Sequence, residues 1–184
     1  MTELKQLTKH DLFTLLSQRF ENEDKRLSQI PNPALLQDAT KASKRIAHAI
    51  KNKERITLVG DYDVDGATSS SLMARFLRHF GVSVEIYIPD RIFEGYGPNG
   101  PAIRELIERG AKLLITVDCG STSHEALALA KELGADVVVL DHHQVGDVLP
   151  NAEAVVNPNR NDDLSGQGHL CAAGVVFLTL VALN

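Results

Sequence analysis

Short apolar runs alternate with longer amphipathic stretches from residue 55 to the end of the chain. Five runs rich in β-branched residues predict strands at 56–59, 84–88, 113–117, 137–140 and 154–156. Helices are predicted between them at about 67–80, 99–110 and 122–133, each followed by a helix-terminating glycine (Gly81, Gly110 and Gly134). We therefore predict an α/β fold: a mostly parallel sheet of about five strands with helices on both faces.

The first 54 residues lack strand patterning and predict helices. One is expected at about 9–20, and a second at about 34–51, after a break formed by Pro31, Asn32 and Pro33. The apolar stretch at 170–183 predicts a last helix, which reaches the chain end without a stop signal. The expected organisation is an amino-terminal helical segment, 1–54, followed by a domain at 55–184 that the chain end truncates.

Composition limits the possible functions. The 184 residues are 43% hydrophobic and 23% charged, as in globular proteins, but the net charge of −5 has the wrong sign for holding phosphates by side-chain charge alone. Aromatic residues are scarce at 5%, so no base-stacking platform is evident. Cys119 and Cys171 are far apart, which argues against a disulfide framework or a thiolate zinc site. With no long apolar run or signal peptide, we expect a cytoplasmic protein without a membrane partner.

Acidic and imidazole side chains follow three of the predicted strands. In parallel sheets, ligands bind beyond the carboxyl ends of the strands, so residues at these positions should converge. The residues are Asp61, Asp63 and Asp65 after the first strand, Asp118 after the third, and Asp141, His142 and His143 after the fourth. We therefore predict one site, built from three loops, at one edge of the sheet.

The predicted cluster has the composition of a divalent-cation site. Crowded carboxylates repel one another, and a bound cation removes that repulsion. Oxygen and imidazole ligands suit Mn²⁺ or Mg²⁺, and two ions about 4 Å apart that share a carboxylate could generate hydroxide and stabilise a phosphoryl displacement. Such ions would also attract the phosphate that a negative chain repels. The alternative is structural: Asp65 and Asp118 each precede a glycine and a helix, so either could be only a helix cap.

Two other phosphate-binding schemes fit the sequence poorly. Three acids separate Gly60 from Gly66 and no Lys-Ser or Lys-Thr pair follows, so the loop is not a Walker motif. A glycine-rich dinucleotide fingerprint is also absent, which makes a nicotinamide dehydrogenase a poor interpretation.

Four motifs, at 59–69, 89–97, 116–120 and 141–143, resemble those of the DHH phosphoesterase superfamily and, within it, the RecJ exonucleases. Weaker similarity continues at 157–159 and 170–175, so the resemblance covers essentially residues 33–184. It implies residue roles as follows: metal ligands Asp63, Asp65, Asp118 (bridging) and His142; catalytic residues Asp61, Asp141 and His143 near the scissile phosphate; substrate-binding residues Arg91, Tyr96, Asn157 and Arg160.

The resemblance also implies an activity. Similar enzymes use two Mn²⁺ or Mg²⁺ ions to remove 5′-mononucleotides stepwise from the 5′ end of single-stranded DNA, in DNA repair and recombination. Single-stranded DNA is then the expected partner, with single-strand-binding protein and helicases suggested by the same resemblance. The family has a further aspartate ligand downstream, a second core domain and an oligonucleotide-binding domain, none of which fits here. Weak or absent nuclease activity is therefore expected for this chain alone.

Two alternatives remain open from the residues. Other DHH phosphoesterases act on small substrates, namely pyrophosphate, short oligonucleotides or cyclic dinucleotides. Many of them have a histidine four residues before the first metal-binding aspartate, where this chain has Val59. A non-catalytic scaffold with the same fold would have lost the acidic ligands, whereas Asp63, Asp65 and Asp118 are present here.

Overall fold

The computed structural model describes residues 8–11, 13–14 and 30–184. By its contacts the chain divides into two compact units, Met1–Pro31 and Asn32–Asn184. In the first unit, residues 9–11 and 13–14 are helical. The Asp11 carboxylate accepts the Thr8 N–H at 2.9 Å, and the Thr8 hydroxyl accepts the Asp11 N–H at 3.1 Å, which forms a reciprocal cap. The helix predicted at about 9–20 therefore begins as expected, and residues 12 and 15–20 of it lie outside the described residues.

The second unit contains a five-stranded sheet in the order β2-β1-β3-β4-β5. All four pairs of neighbouring strands are parallel. This confirms the predicted α/β class, and β1 and β3 are buried along their whole length, as central parallel strands are. The strands are β1 (Ile56–Gly60), β2 (Val84–Tyr87), β3 (Leu113–Val117), β4 (Asp136–Leu140) and β5 (Ala154–Val156).

Helices cover both faces of the sheet, as predicted. They are α1 (Ala39–Lys51), α2 (Val64–His79), α3 (Gly100–Glu108), α4 (His124–Glu132) and α5 (Ala172–Leu183). Residues of α3 and α4 form one apolar cluster with Val59, Leu114 and Val139 of the sheet. The alternate residues Leu58 and Ile115 point to the opposite face and are fully buried there. On that side α1 and α2 both pack against α5. Among the helices of the described residues, none has both the length and the apolar character needed to span a membrane.

The helix predicted at 34–51 is interrupted. A short 3-10 turn, Pro33–Leu35, is followed by Asp38 in the left-handed conformation (φ 62°), and α1 begins only at Ala39. The Asp38 carboxylate accepts hydrogen bonds from Val155 N (3.2 Å) and Arg160 Nη1 (2.8 Å), so tertiary contacts fix this break. Helix α1 lies in the same compact unit as the sheet. The division at residue 54 stays a prediction.

The strand order reverses between β1 and β3. The chain passes from β1 through α2 to β2 on one side, and then through α3 to β3 on the other side of β1. Loops that leave two such strands diverge and open a crevice at their carboxyl ends. The polar loops after β1 and β3 begin at this point, with the loop after β4 beside them.

Candidate metal centre

Ligand atoms from three loops lie close together at the carboxyl end of the sheet. Asp61, Asp63 and Asp118 offer oxygens within 4.8 Å of one another, and Asp118, His142 and His143 form a second such group. Asp118 belongs to both groups. The three strand ends therefore converge as the sequence predicts, with the Asp118 carboxylate in the middle.

Among the described residues none donates a hydrogen bond to the Asp118 carboxylate, although it is 1% exposed and its Oδ1 lies 3.4 Å from His142 Nε2. Burial, followed by the negative charges of Asp65 and Asp63, raises its pKa to about 8. The residue caps no helix, since α4 begins at His124, and this rules out the capping alternative for Asp118. Buried carboxylates normally have partners, and a carboxylate surrounded by acids calls for a cation.

The loop after β1 is a tight turn into α2. Asp63 is the N-cap: its Oδ1 accepts the Gly66 N–H at 2.9 Å, and this bond lowers the pKa of Asp63. A Cβ at Gly66 would lie 2.5 Å from the Asp61 carbonyl oxygen, so only glycine fits. The turn thereby places the carboxylates of Asp61 and Asp63 beside Asp118.

Asp65 has a second set of contacts that the sequence did not suggest. Its Oδ2 accepts the N–H of Ala172 (2.7 Å) and its Oδ1 that of Ala173 (2.8 Å), at the N-terminus of α5. Asp65 therefore caps a helix distant in sequence instead of the one it precedes. Its Oδ2 also lies 3.6 Å from His142 Nε2. It is outside the two ligand groups, and its role as a ligand stays a prediction.

The loop after β4 is organised by the buried Asp141. Its Oδ1 accepts hydrogen bonds from His143 Nδ1 and the His142 N–H, both at 2.7 Å, and its Oδ2 accepts the Ser121 N–H at 3.1 Å. Burial alone would raise the pKa of Asp141, but the bonds from His143 and Ser121 lower it to about 2. The hydrogen bond between His143 Nδ1 and Asp141 also raises the pKa of His143 to about 8. Asp141 thus orients the His143 imidazole, as carboxylates behind metal-bound histidines do, and fixes the backbone at His142.

Two of the predicted substrate-binding residues, Asn157 and Arg160, have different surroundings. Asn157 is fully buried and donates to Ser121 Oγ and to the His143 carbonyl, both at 2.9 Å, so it supports the β4 loop. Arg160 is not brought into the cluster: Asp38 and Asp162 bind its guanidinium at 2.8 Å. Contact of either residue with a phosphate stays a prediction.

The two other predicted substrate residues lie on the loop at 90–97. The Arg91 guanidinium is stacked 4.8 Å above the centre of the Tyr62 ring. The Tyr96 hydroxyl donates to the Asp118 carbonyl oxygen at 2.9 Å. The sequence analysis did not single out Tyr62 as the aromatic partner of Arg91. It also did not single out two residues that hold the loops: the Ser121 N–H donates to Asp141, and the Asn159 side-chain amide donates to the His142 carbonyl. Their only signal was proximity in sequence, since all three lie within or beside the motifs.

Comparison with known proteins agrees with this geometry. The chain matches the sequence model described as "DHH family, N-terminal domain" over residues 55–183. It is 42% identical to the single-stranded-DNA-specific exonuclease RecJ of Bacillus subtilis and 40% identical to that of Escherichia coli, over 83% and 81% of this chain. It spans 19% and 26% of those two proteins.

Among solved structures, the crystal structure of exonuclease RecJ bound to manganese superposes with a TM-score of 0.73 at 37% identity. The match covers 80% of this chain and 37% of that one. Both the sequence and the fold therefore give the same assignment: this chain belongs to the DHH family, and the RecJ exonucleases are among its relatives there.

Proposed function

We propose that this chain forms the metal-binding part of a 5′-to-3′ exonuclease that releases 5′-mononucleotides from single-stranded DNA during repair and recombination. The curated relatives are named as single-stranded-DNA-specific exonucleases, which supports the substrate. The observation that carries the proposal is the Asp118 carboxylate, which is buried, accepts no hydrogen bond from the part of the chain that the structure describes, and belongs to two groups of ligand atoms.

The residues present fit divalent cations. Carboxylate oxygens and imidazole nitrogens are the donors that Mn²⁺ accepts, and Mg²⁺ prefers the oxygens. Asp63, Asp65, Asp118 and His142 would hold two ions, with Asp118 shared between them and Asp61 close by. When bound, such ions supply Lewis-acid stabilisation of phosphoryl charge and lower the pKa of a water nucleophile.

The protein side chains around the ligands prepare the site for a phosphate. Asp141 fixes the His143 ring by its 2.7 Å hydrogen bond, and in the metal-free protein this bond raises the pKa of His143 to about 8. A protonated imidazole can donate a hydrogen bond to a phosphate oxygen and stabilise its charge. The net charge of −5 would repel DNA, so phosphate binding should require the cations.

The metal centre is tested by calorimetric titration of the chain with Mn²⁺. Asp63→Asn is the best variant, because an amide oxygen can still cap Gly66 while the charge is lost. We expect tight binding by the wild type and at least tenfold weaker binding by this variant. Glu132→Gln removes an exposed carboxylate from α4 and should bind Mn²⁺ like the wild type. Equal binding by Asp63→Asn and the wild type would contradict the assignment.

The substrate is tested separately, with the full-length protein that carries this chain. Long single strands labelled at the 5′ or 3′ end, duplexes of the same sequence, pyrophosphate and dinucleotides are compared with Mn²⁺ and with EDTA. Release of the 5′ label as a mononucleotide, abolished by EDTA, is the expected result. Hydrolysis of only the small substrates, or release from the 3′ end, would refute the proposed activity.

A further inference from the structure

The Tyr96 side chain lies against the candidate metal centre from outside the sheet. Its hydroxyl donates to the Asp118 carbonyl oxygen at 2.9 Å and lies 3.3 and 3.4 Å from the two ring nitrogens of His143. The two rings meet edge-on with centroids 5.8 Å apart. The hydroxyl thus faces the protein, although sequence reasoning assigned Tyr96 to the substrate.

The loop that carries Tyr96 is braced on both sides. Glu94 accepts hydrogen bonds from the Tyr87 hydroxyl and from the Asp90 N–H (2.7 Å), so one end of the loop is tied to β2. At the other end, Gly97 has a φ of 72°, and a Cβ there would lie 3.6 Å from Cβ of Cys119. The loop therefore packs against the residue that follows Asp118.

Asp118 itself has a backbone conformation that needs support. Its φ of 61° is in the left-handed region, which aspartate adopts more often than most side-chain-bearing residues but which still costs energy that the surroundings must offset. Its N–H donates to the Leu140 carbonyl at 3.0 Å, and its carbonyl accepts from Tyr96. The two hydrogen bonds fix both peptide groups of the residue, and the Tyr96 bond is the one that a side chain supplies.

We propose that Tyr96 is a positioning residue whose hydroxyl holds Asp118 in the left-handed conformation that presents its carboxylate to both ligand groups. Mn²⁺ affinity then depends on this hydroxyl, although Tyr96 contributes no ligand. The inference rests on the proposed function in requiring that divalent cations bind at Asp118. A role in stacking on a nucleobase predicts the opposite, because stacking needs the ring and is indifferent to the hydroxyl.

Tyr96→Phe separates the two roles, since it keeps the ring and removes the hydroxyl. Calorimetry with Mn²⁺ alone should show at least tenfold weaker binding, the loss typical when a residue that orients a ligand is removed. Ile92→Ala is the matched control: it shortens a side chain that is 85% exposed on the same loop, and should bind Mn²⁺ like the wild type. Circular dichroism of the metal-free proteins establishes that each variant is folded.

Each outcome decides. Unchanged Mn²⁺ affinity in folded Tyr96→Phe overturns the inference and leaves the proposed function standing, whereas absence of Mn²⁺ binding by the wild type overturns both. If Tyr96→Phe does not fold, Gly95→Ala replaces it, because a side chain at φ 84° strains the loop and displaces the hydroxyl without removing it. Weaker Mn²⁺ binding by that variant supports the inference, and unchanged binding overturns it.

Discussion

Replacing Asp118 by asparagine should stabilise the metal-free protein and abolish its response to Mn²⁺. The side chain keeps its size but loses the charge that burial and the neighbouring Asp65 and Asp63 oppose. A carboxyl group with a raised pKa keeps its proton in the folded state while the unfolded chain has lost it. The folded state therefore binds more protons than the unfolded state between about pH 4 and pH 8, and wild-type stability falls as the pH rises through that window.

The pKa of Asp118 sets the size of the effect. It rises from 3.8 to about 8. At about 1.36 kcal/mol per unit, the ceiling on the destabilisation at pH 8 is roughly 5 kcal/mol. Neighbouring side chains and water relax around the charge and reduce that cost, so we expect Asp118→Asn to gain about 1–3 kcal/mol at pH 8. Near pH 4 the gain should vanish, because the carboxyl is then largely protonated in the folded state and half protonated in the unfolded chain.

The assay is urea unfolding followed by circular dichroism, in EDTA at pH 4.5 and pH 8 and again at pH 8 with Mn²⁺. Saturating Mn²⁺ at about 100 times its dissociation constant should stabilise the wild type by about 2.7 kcal/mol and leave Asp118→Asn unchanged. Glu132→Gln should follow the wild type in every condition, since its carboxylate is exposed. The reasoning would be refuted if Asp118→Asn were no more stable than the wild type at pH 8, or if Mn²⁺ stabilised the two proteins equally.

Two further substitutions test contacts that hold the site together. Gly66→Ala should lose about 1–3 kcal/mol of unfolding free energy in urea, because its Cβ would lie 2.5 Å from the Asp61 carbonyl oxygen; Gly146→Ala, with open space around it, is the control and should be near neutral. Arg160→Met should lose about 1–3 kcal/mol because it removes the charged hydrogen bonds to Asp38 and Asp162, with Mn²⁺ affinity unchanged. Unchanged stability in Arg160→Met, together with weaker phosphate binding, would instead favour the role predicted from sequence.

The parts of the fold and site that were predictable from sequence depend on local patterns. The β-branched runs predicted the five strands because buried parallel strands need apolar residues on both faces. Once the strands were placed, Asp63, Asp118 and His142 were expected at one edge, since carboxyl ends of parallel strands share it. Their close approach also requires β1, β3 and β4 to be neighbours in the sheet, an order that the apolar runs do not encode.

The unpredicted features depend on contacts between residues far apart in sequence. Asp65 is paired with the N-terminus of α5 through Ala172, 107 positions away, and Arg160 is paired with Asp38, 122 positions away. Arginine near a polar loop has the same local signature whether it binds a phosphate or an aspartate. Arg160 binds Asp38 because the interrupted start of α1 packs near β5, and no short motif encodes this packing.

The carboxylates of the site differ in which groups donate hydrogen bonds to them, and this difference separates their roles. Backbone amides satisfy Asp63 and Asp65, and both amides and His143 satisfy Asp141, so these carboxylates are fixed by the protein itself. Asp118 is held only through its backbone, and its side chain has no donor among the described residues. The His142 and His143 imidazoles lie 3.4 and 4.0 Å from its Oδ1 without forming a hydrogen bond to it, so a bound cation would be the partner that stabilises the ionised carboxylate. The unfavourable energy of Asp118 in the metal-free protein and the affinity of the site for a divalent cation are therefore expected to change together.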